Sequence, residues 1–66
     1  MLEAFDVVAD NQGVLFSPAS CTHTYSYTSD GNLQTDTCID LYSRTRVQTY
    51  TYTNGRLTAV SAWVQQ

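Results

Sequence analysis

One histidine, His23, stands between Cys21 and Cys38, with Asp36 just before the second cysteine. A thiol, an imidazole and a carboxylate are the parts of a nucleophile, its base and the group that orients the base. The spacing argues against that use. Residues i and i+2 of a strand stand about 6.6 Å apart, beyond the hydrogen bond that would join Cys21 to His23. No nucleophile motif or oxyanion loop accompanies them. As zinc ligands, Cys21, His23 and Cys38 make three where a structural site takes four, and no fourth occupies a matching position. Glu3, Asp6, Asp10, Asp30, Asp36 and Asp40 are scattered and lack the DxDxDG spacing of a calcium loop. No catalytic residue, metal site or cofactor is therefore expected, with Asp30 serving as a turn former and the other acids as solvated charges.

The chain that must position these groups is small. Its 66 residues make one domain at most, and a domain of this size buries only about 60% of the surface its unfolded chain exposes. Ordering costs roughly 1.5 kcal/mol per residue, so so thin a core calls for a disulfide, a metal or burial against another chain. The last fits best here. Charged residues are 14% of the chain and none is lysine, which leaves a surface of Thr, Ser, Gln and Tyr. The net charge of −3 offers no basic stripe, so nucleic acid is an unexpected partner. No apolar run approaches the ~20 residues of a membrane helix, so no membrane association is expected. The N-terminal MLEAFDVVAD carries acids where a signal peptide needs basic residues, so synthesis in the cytoplasm without processing is expected.

The elements follow from an internal repeat. TYSYTSDGNLQTDT, residues 24–37, is echoed by TYTYTNGRLTAVS, residues 49–61. Each copy has tyrosines two apart, a Gly-containing turn and a leucine beyond it, the pattern of a β-hairpin. Asn54-Gly55 suits a two-residue type I′ turn, which pairs Tyr52 with Leu57, Tyr50 with Ala59 and Arg46 with Trp63. Ser29-Asp30-Gly31 suits a three-residue loop with Gly31 left-handed, which pairs Tyr27 with Leu33 and Tyr25 with Thr35. The expected fold is all-β: a four-stranded antiparallel meander of two repeated hairpins over residues 21–66, preceded over residues 1–20 by an N-terminal arm or short hairpin. Pro18 makes residues 17–20 the hinge between the two.

A tight connection near Tyr42-Ser43 sets Leu33 beside Tyr52 and draws the row Tyr27, Leu33, Tyr52, Leu57 across the sheet. Tyr25, Ile39, Leu41, Tyr50 and Trp63 fall on the same face by the period of two, with Arg46 set for a cation–π contact on Trp63. The opposite face is mostly threonine, with Val47, Val60 and Val64 at its far end. The aromatic face reads as core, for which Phe5, Val7, Val14 and Phe16 supply part of a cover and a neighbouring chain the rest. In this register Cys21 and Cys38 point to opposite faces, which favours free thiols. A slip of one residue would bring them together at the expense of the Tyr–Leu row. His23 reads as a sheet histidine among Thr37, Gln48 and Ser61.

TYSYTSDGNL and TYTYTNGRLTAV resemble the tyrosine-turn-Gly-x-leucine hairpins of YD-repeat proteins, with Thr28 and Thr53 where that pattern has its acid. The complete chain, a short arm followed by a Thr/Tyr-rich meander ending SAWVQQ, is also similar to small accessory virion proteins of tailed bacteriophages. That resemblance implies a structural, non-enzymatic component of the virion, acting as capsid decoration or as a neck or tail accessory. Its partners would be copies of itself and larger capsid, neck or tail proteins. Tyr25, Tyr27, Leu33, Tyr50, Tyr52, Leu57 and Trp63 would form its packing or interface set, with Asp30, Gly31, Asn54 and Gly55 as turn residues. The alternative from another class is a carbohydrate- or ligand-binding β module that uses the tyrosines.

Overall fold

The computed structural model describes residues 7–66, so the expected contribution of Phe5 lies outside the described residues. Strands β1 (Val8–Ala9) and β2 (Leu15–Phe16) form a two-stranded hairpin. A short 3-10 turn, Pro18–Ser20, then leads into an antiparallel meander of β3 (Thr22–Tyr27), β4 (Leu33–Ile39), β5 (Thr45–Thr53) and β6 (Arg56–Val60). A last strand, β7 (Val64–Gln65), pairs with the start of β5 and continues the line of β6. The strands are rich in Thr, Tyr and Val, whose branched or aromatic side chains suit a pleated surface. The fold is thus the expected all-β meander preceded by a short hairpin.

One loop design recurs three times. Asp10 to Val14, Thr28 to Asn32 and Asp40 to Arg44 each bridge two strands with three residues. In each, the first residue's N–H donates to the fifth residue's carbonyl, at 3.0, 2.7 and 3.0 Å. The fourth residue is left-handed: Gly13 at φ +82°, Gly31 at +89°, and Ser43 at +65°. The first residue's side-chain oxygen accepts the fifth residue's N–H, on Asp10 at 2.9 Å, Thr28 at 3.1 Å and Asp40 at 3.0 Å. Such loops fix strand register through a local side-chain bond. The fourth turn is the expected two-residue Asn54-Gly55, with both φ positive at +52° and +79°.

Register departs from the sequence reading beyond the turns, because each hairpin contains a bulge. Tyr27 pairs with Leu33 and Tyr52 with Leu57, as the turns require. An extra residue, Gln34, then sets Tyr25 opposite Asp36 rather than Thr35. In the second hairpin the extra residue is Thr58, which bonds back to the Thr51 carbonyl at 3.1 Å and leaves Tyr50 opposite Val60 rather than Ala59. Arg46 faces Gln65, not Trp63. The pairing of Ile39 with Thr45 and Thr22 puts Ile39 on the threonine face, and Leu41 lies in a loop.

The β6–β7 break explains Trp63. At Ser61 the side-chain hydroxyl accepts the Thr49 N–H at 2.8 Å, so residues 61–63 leave the ladder without orphaning that donor. Freed from the pleat, Trp63 turns over the sheet and meets Phe16 edge-on, with centroids 5.7 Å apart at 89°. Among the described residues the buried hydrophobic side chains are Phe16, Cys38 and Trp63, all at the end of the sheet away from the hairpin tips. The tyrosine and leucine rows expected as core are only partly covered: Tyr27 is 59% and Leu57 51% exposed, while Leu33, Tyr50 and Tyr52 are half-buried.

Candidate functional site

Two polar constellations fill the covered end of the sheet. Arg46, on β5, is fully buried. Its Nε donates to Asp10 Oδ2 at 2.8 Å and its Nη1 to Asp40 Oδ2 at 2.9 Å. Each carboxylate closes its own loop with Oδ1 and holds the arginine with Oδ2. The guanidinium also lies over the Phe16 ring, 4.0 Å from its centroid, so the cation–π partner is Phe16 and not Trp63. The arginine hydrogen bond and the backbone N–H donors depress Asp10 against the opposing effect of burial. Asp40 is depressed chiefly by the Arg44 N–H, again against burial, with Arg46 adding to it. Two acids expected to be solvated charges are therefore structural clasps.

The second constellation is His23, whose Nδ1 lies 2.6 Å from Asp36 Oδ1 and whose Nε2 lies 2.7 Å from the Pro18 carbonyl oxygen. Both partners are acceptors, an arrangement that favours the imidazolium, which donates from both nitrogens. Its pKa is raised, first by the Asp36 hydrogen bond and then by the Pro18 carbonyl. In that form the ring has no lone pair with which to take a proton from Cys21. The ring stacks on Tyr25 at 6.0 Å and meets Trp63 edge-on at 6.4 Å, rather than lying among Thr37, Gln48 and Ser61.

The Gln34 bulge also overturns the placing of the thiols. His23 pairs with Cys38, so Cys21, two residues before His23, shares a face with Cys38. The Tyr27–Leu33 pair survives, because the shift arises between that pair and the next. Both thiols are free; Cys38 is fully buried and Cys21 half-buried against the same cluster. Burial, then the nearness of Cys21, pushes the Cys38 thiol up to about 12.

The expected interface residues divide by position. Trp63 is in the core; Leu33, Tyr50 and Tyr52 are half-buried; Tyr25, Tyr27 and Leu57 are exposed. The β4–β5 ladder ends at Thr35 and Thr49. Beyond it the hairpin tips leave a cleft of about 380 Å³ whose walls include Asp30, Asn32 and Gln34 on one side and Thr49, Thr51 and Tyr52 on the other. Asp30 and Gly31 on one hairpin, Asn54 and Gly55 on the other, form the turns that end these tips.

Sequence reasoning missed the Arg46 hub, the burial of Asp10 and Asp36, and the half-burial of Asp40. The signal was present: DNQGV and DLYSR share an acid at the first loop position and a left-handed residue at the fourth. Comparison with protein-family models, curated proteins and solved structures finds no match.

Proposed function

We propose that this chain is a structural, non-enzymatic component of a phage virion, a capsid decoration or a neck or tail accessory that acts through β-sheet packing and oligomerisation. The observation that carries the reading is the uncovered half of the sheet. Phe16 and Trp63 cap one end, while Tyr25, Tyr27, Leu57 and Val60 stand exposed on the same face toward the other. Exposed large apolar side chains gathered on one face mark a contact surface. A second apolar feature supports assembly: Leu41 and Tyr42, at the tip of the β4–β5 loop, are 85% and 83% exposed. Edge strand β6, exposed at every residue, offers its backbone for strand addition.

The test is association. Sedimentation should give an oligomer, and the melting temperature should rise with protein concentration as mass action requires. Tyr52→Asp, beside Leu57, should abolish assembly, whereas Thr51→Asp on the threonine face should be milder. A folded monomer with a concentration-independent melting temperature would refute oligomerisation, and absence of the chain from purified particles by mass spectrometry would refute the virion assignment. The cleft between the hairpin tips, with amide, carboxylate and hydroxyl groups on its walls, favours a second reading as a carbohydrate-binding module. Saccharide binding by a stable monomer, lost in Gln34→Ala, would place that reading first.

A further inference from the structure

Cys21 and Cys38 are the nucleophilic groups that the assembly reading leaves unused. They sit diagonally on one face of the first hairpin, Cys38 directly opposite His23 and Cys21 two residues before it, and pack in the same cluster with Phe16 and Trp63. Their exposures differ in a useful way. Cys21 keeps part of its surface in solvent, while Cys38 is fully buried. That is the arrangement of an attacking and a resolving thiol.

The backbone around Cys21 can supply the remaining approach. Cys21 directly follows the three-residue turn Pro18–Ser20, of which Ala19 and Ser20 are exposed. Its N–H donates to the Pro18 carbonyl at 3.1 Å and its thiol to the Ser17 carbonyl at 3.4 Å. Cys38, by contrast, is fixed in the middle of the sheet between His23 on β3 and Arg46 on β5. The adjustment that a sulfur–sulfur bond requires therefore falls on a short surface turn and not on the ladder.

We propose that Cys21 and Cys38 are a latent redox staple, closed to an intramolecular disulfide by a low-molecular-weight disulfide such as oxidised glutathione. The Cys21 thiolate attacks the external disulfide and releases one small thiol. Cys38 then attacks the Cys21 sulfur of the mixed disulfide and releases the second. Two electrons pass to the oxidant, and the two cysteine protons end on the two small thiols. The buried Cys38 thiol, with its pKa pushed up to about 12, makes the second step the slow one. The product ties the Pro18 turn, and through its carbonyl His23, to the centre of the sheet. This holds whichever partner the tyrosine face takes.

The experiment incubates reduced, folded protein with oxidised glutathione, quenches it in acid, and alkylates it in denaturant before intact-mass measurement. Both cysteines should stop labelling together, with loss of two hydrogens, no retained glutathione and no dimer. Trypsin leaves both cysteines in one peptide, because the arginines lie at 44, 46 and 56 and there is no lysine. Chymotrypsin, cutting after Tyr25 or Tyr27, should release the crosslinked pair. The melting temperature should rise on oxidation and fall again on reduction. Cys21→Ser should leave Cys38 free under the same treatment, and Cys21→Ala serves equally should serine unfold the chain. A lasting glutathione adduct on Cys21 with Cys38 still free, a disulfide-linked dimer, or closure only in urea would each overturn the proposal.

Discussion

Replacing Arg46 by methionine should remove most of the stability of this fold. The side chain is wholly buried, holds Asp10 and Asp40 at 2.8 and 2.9 Å, and covers Phe16. Methionine fills much of the same space but leaves two carboxylates facing each other without a cation. Breaking a buried ion pair by removing one partner costs about 3–5 kcal/mol. A chain of this length has roughly 3–10 kcal/mol in total, at about 0.05–0.15 kcal/mol per residue. Trp63, the sole tryptophan, lies in contact with Phe16 and so reports unfolding of this very region by fluorescence. With a urea slope of about 1 kcal/mol/M, the midpoint should fall by about 3–5 M, or the variant should be unfolded without denaturant. Arg44→Met, exposed two residues away, is the control and should change stability by less than about 0.5 kcal/mol. Adding Asp10→Asn and Asp40→Asn to Arg46→Met should recover part of the loss, because the amide oxygen still closes each loop. A midpoint for Arg46→Met within about 1 M of the parent would refute the clasp.

Acid should narrow the gap between parent and Arg46→Met. Asp10 and Asp40 are depressed below 3.8, so their contribution in the parent is present above that value and is lost as pH falls through the folded values. The sign is opposite for His23. Its pKa is raised above 6.5, so its contribution is complete below 6.5 and disappears as pH rises through the folded value, and the parent's urea midpoint should drop over that range while that of His23→Gln stays flat. Gly55→Val should cost about 1 kcal/mol or more, by thermal melt, since φ of +79° is an outlier for a branched residue. A Cβ there meets nothing within 4 Å, so Gly55→Asn, which tolerates that φ, should cost less.

The turns were legible because they are local. Asn54-Gly55 and Ser29-Asp30-Gly31 carry their backbone conformation in their residue types, and the two pairs next to them, Tyr52–Leu57 and Tyr27–Leu33, came out as expected. The bulges at Gln34 and Thr58 were not legible. Neither residue is a glycine or proline, and polar residues on an exposed hairpin fit either register equally well. That single unseen residue sent Cys38 and Asp36 to the wrong face, and with them the surroundings of His23. The core was misplaced for a related reason. Alternation shows which residues share a face but not which end of it is covered, and the cover comes from Phe16 and Trp63, far apart in sequence and each outside the meander's regular pleat.

The loop between β1 and β2 is joined to the far end of the chain: the Asn11 N–H donates to the Trp63 carbonyl at 2.7 Å, and Asn11 Oδ1 accepts the Gln65 N–H at 2.8 Å. During translation the first hairpin therefore leaves the ribosome long before its partners exist. The two central turns can form as they emerge, since hairpins close within microseconds, far faster than residues are added. Asp10 must wait for Arg46, and Asn11 until residues up to Gln65 are free. Docking of the N-terminal loop is in that sense the last step in the folding of this small sheet, and an arrested nascent chain lacking residues 63–65 should show native-like hairpin tips with an undocked N-terminal loop.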